Sequence, residues 1–231
     1  MTLAAVSITP DQANEILSDF RLATGLSRFA VNRDQGASVT VPRGLSLLDE
    51  GDSRQATVPE IDPDLPQYTL SSELKGSRID LDQRRLFFNL FRKTGGRAVV
   101  GIAISALKPR TGEDYGDRDK MVYAALLNDC IGAALDQVGG CVTVIIDDGR
   151  YDALALDHIR NDIAAMIGPC AEAKLELSHR SAGLQIADVI ANTFFNRALV
   201  SSRQAQMAEL VAPFLDQGTI NMRILADSGC A

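Results

Sequence analysis

Short apolar runs rich in β-branched residues alternate along the chain with longer segments of helical period. This alternation constrains the fold more than any other feature. Residues 3–8 (LAAVSI), 97–107 (RAVVGIAISAL), 141–148 (CVTVIIDD) and 173–179 (AKLELSH) read as strands. Between and after them, residues 9–26, 80–96, 117–138, 151–168, 178–197 and 202–218 read as helices, and the tail from Thr219 holds a last short strand. Local chemistry supports these boundaries. Thr9 can cap the first helix and Pro10 suits its first position, because proline lacks the amide that a first-turn residue leaves unused. The pattern predicts an α/β sandwich in which helices flank a mixed sheet. The run 141–148 is apolar on both faces, so it is expected in the middle of that sheet.

One stretch breaks the alternation. Residues 32–72 are rich in Pro, Gly and Asp and read as an irregular insertion with one hairpin. The 231 residues suffice for one large domain with a sizeable core. A net charge of −7 argues against a broad basic surface for nucleic acid. It leaves open an acidic metal site, where bound cations supply the local positive charge. Cys130, Cys141, Cys170 and Cys230 show no CxxC spacing, so they are expected to be reduced, buried thiols rather than zinc ligands. No apolar run reaches the roughly 18 residues that span a bilayer, and the first residues lack a basic leader. The expectation is a cytoplasmic protein with no membrane partner.

Three places carry chemistry. Residues 178–197 (SHRSAGLQIADVIANTFFNR) form a mostly apolar helix on which Gln185, Asp188, Asn192 and Asn196 fall within a wedge of roughly 80°. So narrow a stripe faces either an internal polar site or the exposed edge of an amphipathic helix. In CVTVIIDDGR, Asp147 and Asp148 end an apolar strand, where α/β sheets keep their sites, and they point to opposite faces if the strand continues. The alternative is a polar turn. In SSELKGSRI, Glu73 and Lys75 share a face if the segment is extended, or else form a surface ion pair. His158 reads as a surface residue, whereas His179 stands at the entry to the striped helix. Arg84, Arg85, Arg92 and Lys93 read as a solvated helix face. Phosphate-binding glycine loops and nucleophile elbows are absent.

Taken in order, SSELKGSRI, VTVIIDDGR and SHRSAGLQIADVIANTFF resemble the DUF3800 family, which is similar to the ribonuclease H-like fold. The resemblance runs from about Glu73 to Leu199, and GLQIADVIA is its most specific part. It implies a single ribonuclease H-like domain over the whole chain and an acidic site for Mg²⁺ or Mn²⁺. Glu73, Asp147 and Asp188 fill the acidic positions, with Lys75, Asp148, Ser178, His179, Gln185 and Asn192 as supporting polar groups. Hard oxygen ligands suit these ions. The implied activity is metal-dependent hydrolysis of nucleic-acid phosphodiesters. The alternative is a non-catalytic binding module of a mobile-element or defence system. Two family features are missing. No strand ending in Asp-Glu-Ser-Gly precedes TLAAVSITPDQANEIL, which matches the family's second strand and helix. The pair Asp49 and Glu50 comes too late in the chain to replace it, and Leu177 stands where many members carry an acid. Either the start lies upstream of Met1 or the copy is degenerate. A missing first strand leaves an unpaired sheet edge that self-association can cover.

Overall fold

A computed structural model describes residues 1–25, 29–32, 68–71, 73–103, 114–138, 141–149 and 151–225. Most of the expected insertion, with Asp49 and Glu50, lies outside the described residues, as does Cys230.

The elements run in order β1 (Thr2–Ser7), α1 (Pro10–Thr24), β2 (Phe29–Asn32), β3 (Tyr68–Ser71), α2 (Leu81–Lys93), β4 (Arg97–Ile102), α3 (Tyr115–Leu135), β5 (Thr143–Asp147), α4 (Ala153–Ile167), β6 (Glu172–Glu176), α5 (Ala182–Leu199), α6 (Gln204–Asp216) and β7 (Ile220–Ile224). Single 3₁₀ turns at Gly76–Arg78 and Ser178–Arg180 precede α2 and α5. The architecture is the expected mixed α/β, with strands flanked by helices. Caps set the helix starts. Thr9 and Asp80 each accept from the amide three residues on, and Gln12 and Gln83 return the bond to the cap amides, closing two capping boxes.

In the main sheet β4 lies between β1, antiparallel to it, and β7, parallel to it. Its side chains alternate between two cores. Ala98, Val100 and Ile102 pack with α1, α2, α5 and α6, where Phe20, Phe87, Phe88, Phe91, Phe194 and Phe214 gather. Val99 faces the other way and packs with α3 and α4.

Strands β5 and β6 form a separate parallel pair, joined through α4. Here the described residues depart from expectation, because among them β5 is not mid-sheet. It pairs there with β6 alone, and Ile145 stays 39% exposed. Its Ile146 nonetheless enters the same core as Leu3 and Val99. Among the described residues, the outer edge of β1 has no ladder partner, and neither has that of β5. Strands β2 and β3 pair antiparallel at the two ends of the stretch, and the hairpin expected within 32–72 lies outside the described residues. Among the described residues no helix is long and apolar enough to cross a membrane.

Candidate functional site

The site grows from three pieces of backbone. Strand β5 ends in Asp147, half-buried, whose Oδ1 accepts from the Gly149 amide at 3.2 Å. Helix α5 carries the polar stripe. The segment from Glu73 to Arg78 lies along α5 and reaches it with backbone amides. The Leu74 amide donates to Gln185 Oε1 at 2.8 Å, and the Gly76 amide donates to Asp188 Oδ2 at 2.7 Å. The stripe therefore faces an internal polar seam. Gln185 and Asn196 are buried, while Asp188 and Asn192 are half-buried.

Gly76 is the point of closest approach. A Cβ there would lie 2.7 Å from Asn192 Cβ and 2.9 Å from both the Asp188 carbonyl oxygen and Val189 Cα. Only glycine lets the turn sit this close to α5. Arg84 locks the turn from behind. Its Nη2 donates to the Gly76 carbonyl and to Asn192 Oδ1 (2.7 Å), and its Nη1 donates to Thr193 Oγ1 at 2.6 Å.

This corrects the sequence reading, in which Arg84 was solvated. It is 2% exposed, on the same stripe of α2 as Phe87, Phe88 and Phe91. Its spacing with those phenylalanines is the signal that could have revealed it. Burial lowers its pKa to about 10, with the Arg203 charge adding to the fall and Asp188 and Asp80 opposing it.

Glu73 and Asp188 differ sharply in environment. Lys75 Nζ lies 2.7 Å from Glu73 Oε1 and 3.1 Å from Ser178 Oγ, and the Ser178 hydroxyl donates to Glu73. Burial pushes the Glu73 carboxyl up, but these hydrogen bonds and the Lys75 and Arg78 charges outweigh it, and the net shift is downward. The Asp188 carboxyl goes the other way. Burial raises it, the Gly76 amide and Lys75 only partly compensate, and the negative charges of Glu73 and Asp147 raise it further. Its Oδ1 meets no donor among the described residues.

Of the expected supporting groups, Lys75, Ser178, Gln185 and Asn192 join this seam. Gln185 Nε2 also donates to the Ser178 carbonyl at 3.2 Å, holding the turn before α5. Asp148 and His179 are exposed, and no side-chain contact brings them to it. His158 is exposed on α4, as expected. Sequence reasoning missed Gly76, Arg84 and Thr193.

The Asp147 charge acts on Asp188, and carboxylate oxygens are the hard donors that Mg²⁺ and Mn²⁺ prefer. Among the described residues, no three His, Cys, Asp or Glu side chains are grouped closely enough to hold a metal by themselves. Any ion here therefore depends on water or substrate oxygens for the rest of its shell, as Mg²⁺ commonly does. No family model, curated protein or solved structure matches the chain.

Proposed function

We propose that the chain is a ribonuclease H-like protein of the DUF3800 type, and that it hydrolyses nucleic-acid phosphodiesters with Mg²⁺ or Mn²⁺. Asp147 and Asp188 would hold the ion, with Glu73 beside them. The observation that carries this reading is the state of Asp188. It is a half-buried acid whose carboxyl burial raises, with Glu73 and Asp147 raising it further, and whose Oδ1 meets no protein donor among the described residues. Such a group favours a cation as neighbour. A bound divalent ion supplies polarisation of a phosphoryl oxygen and a more acidic water. Glu73, kept ionised by Lys75 and Ser178, is suited to accept a hydrogen bond from the attacking water and orient it. Lys75, half-exposed, adds positive charge toward an anionic substrate.

The test is calorimetric titration with Mn²⁺ of the wild type, Asp188→Asn and Asp147→Asn, beside a nuclease assay. Binding should weaken at least tenfold in each variant. Equal binding by all three removes the site.

A second reading has one observation in its favour. Glu73 already has a cation in Lys75, as befits a structural polar network in a non-catalytic binding module. Full folding with no Mn²⁺ binding by the wild type would select it.

A further inference from the structure

The cysteines were expected to be buried. Cys130 is buried, and burial, with the Asp129 charge, raises its thiol pKa to about 12. Cys141 and Cys170 are exposed. They lie outside the seam around Asp188, and the register of β5 and β6 brings them together. Thr143 faces Glu172 in the parallel ladder, and the Glu172 amide donates to the Val142 carbonyl at 3.1 Å, so the pairing reaches one residue before β5, while Cys170 sits in the turn that the Ala171 amide and Gly168 carbonyl close just before β6. Two residues back from Thr143 and Glu172 stand Cys141 and Cys170. The neighbouring Cys170 side chain holds the Cys141 thiol above its ordinary value. At the ladder itself neighbouring strands run about 4.8 Å apart, and a disulfide accepts roughly 4.4–6.8 Å between Cα atoms.

We propose that Cys141 and Cys170 are a redox modification site, a dithiol that closes reversibly into an intrachain disulfide when it meets a low-molecular-weight disulfide such as oxidised glutathione. The thiolate of one cysteine attacks the glutathione S–S bond, forming a mixed disulfide and releasing one reduced glutathione. The second cysteine then attacks the protein-bound sulfur of that mixed disulfide. The internal S–S bond forms, a second reduced glutathione leaves, and the oxidant has taken both electrons. The new bond staples the foot of the β5–α4–β6 crossover, at the opposite end of β5 from Asp147. It closes the crossover into a covalent ring, which restricts the unfolded chain.

The experiment treats the full chain with oxidised glutathione, quenches with acid and maps the peptides by mass. A linked Cys141–Cys170 peptide lacking two hydrogens is expected. Dithiothreitol should reverse it, and the oxidised form should melt several degrees higher. Cys141→Ser should instead accumulate glutathione on Cys170. Both exposed positions are expected to tolerate serine, and the wild-type map needs no variant. Glutathione stably attached to both cysteines, a link only between chains or only through Cys230, or no reaction would each overturn the assignment.

Discussion

Gly76→Ala isolates the contact on which the seam is built. Gly76 is not among the glycines with positive φ, so alanine suits its backbone. Through the unfolded chain alone, the change should stabilise by about 0.4–1 kcal/mol. The folded state opposes this. The new methyl would sit 2.7–2.9 Å from three atoms of α5, two of them backbone. Ordinary carbon contacts begin near ~3.5 Å, so the turn must retreat by the better part of an ångström. Overpacking of this kind costs about 1–3 kcal/mol. The retreat also stretches the 2.7 Å bond from the Gly76 amide to Asp188. A hydrogen bond to a charged group contributes about 1.5–3 kcal/mol. The steric and hydrogen-bond losses win, for a net destabilisation of about 2–5 kcal/mol. In a chain of this length the melting midpoint should fall by roughly 5–15 °C, read by circular dichroism. A midpoint unchanged or raised would falsify the close approach of this turn to α5.

Asp188 should leave a signature in the pH dependence of stability. Its carboxyl is raised in the folded state, so between the unfolded and folded values the folded chain binds more protons. Its contribution to stability therefore falls as pH rises through that window. Asp188→Asn keeps an acceptor for the Gly76 amide and should flatten this slope, measured by urea unfolding in EDTA as the difference from wild type. An identical slope in both proteins would place Asp188 in water. Glu73 has the opposite sign, because its lowered value makes stability fall as pH drops. Glu73→Gln should remove that acid-side loss. For Arg84, a double-mutant cycle is the measure. Arg84→Met strips donors from the Gly76 carbonyl, Asn192 and Thr193 and should destabilise by about 2–4 kcal/mol. Combined with Asp188→Asn, the losses should depart from additivity by at least ~0.5 kcal/mol; strict additivity would separate the two charges.

Elements defined by local chemistry were legible from the sequence. Thr9 before Pro10 marks the start of α1, and the polar stripe of Gln185, Asp188, Asn192 and Asn196 marks a helix with something polar to meet. What meets it is a tertiary fact. Nothing local distinguishes Gly76 from a loop glycine, since its constraint comes from atoms more than 100 positions away. The apolar run of β5 correctly signals burial of Ile146, but it does not encode how many strands lie beside it. Arg84 was misjudged because a charged residue on a helix usually faces water, and the three phenylalanines sharing its stripe were the better guide. Cys141 and Cys170 could be paired only once the parallel register of β5 and β6 was in hand.

The two acids along α5 solve the same electrostatic problem differently. Glu73 has Lys75 and the Ser178 hydroxyl in direct contact, and its carboxyl ends below its ordinary range. Asp188 has one amide, and the nearest fully buried cation, Arg84, reaches it only across Gly76, by donating to that residue's carbonyl while Asp188 accepts from its N–H. Arg84 thus fixes where the Gly76 amide points without itself contacting the carboxylate. That arrangement positions Asp188 but leaves its charge undercompensated, with Glu73 and Asp147 adding to the deficit. A purely structural network gains nothing from this asymmetry, because a neutral Asn at 188 would accept the same amide. On the function proposed above, the carboxylate at that position serves to hold a cation between Asp188 and the end of β5.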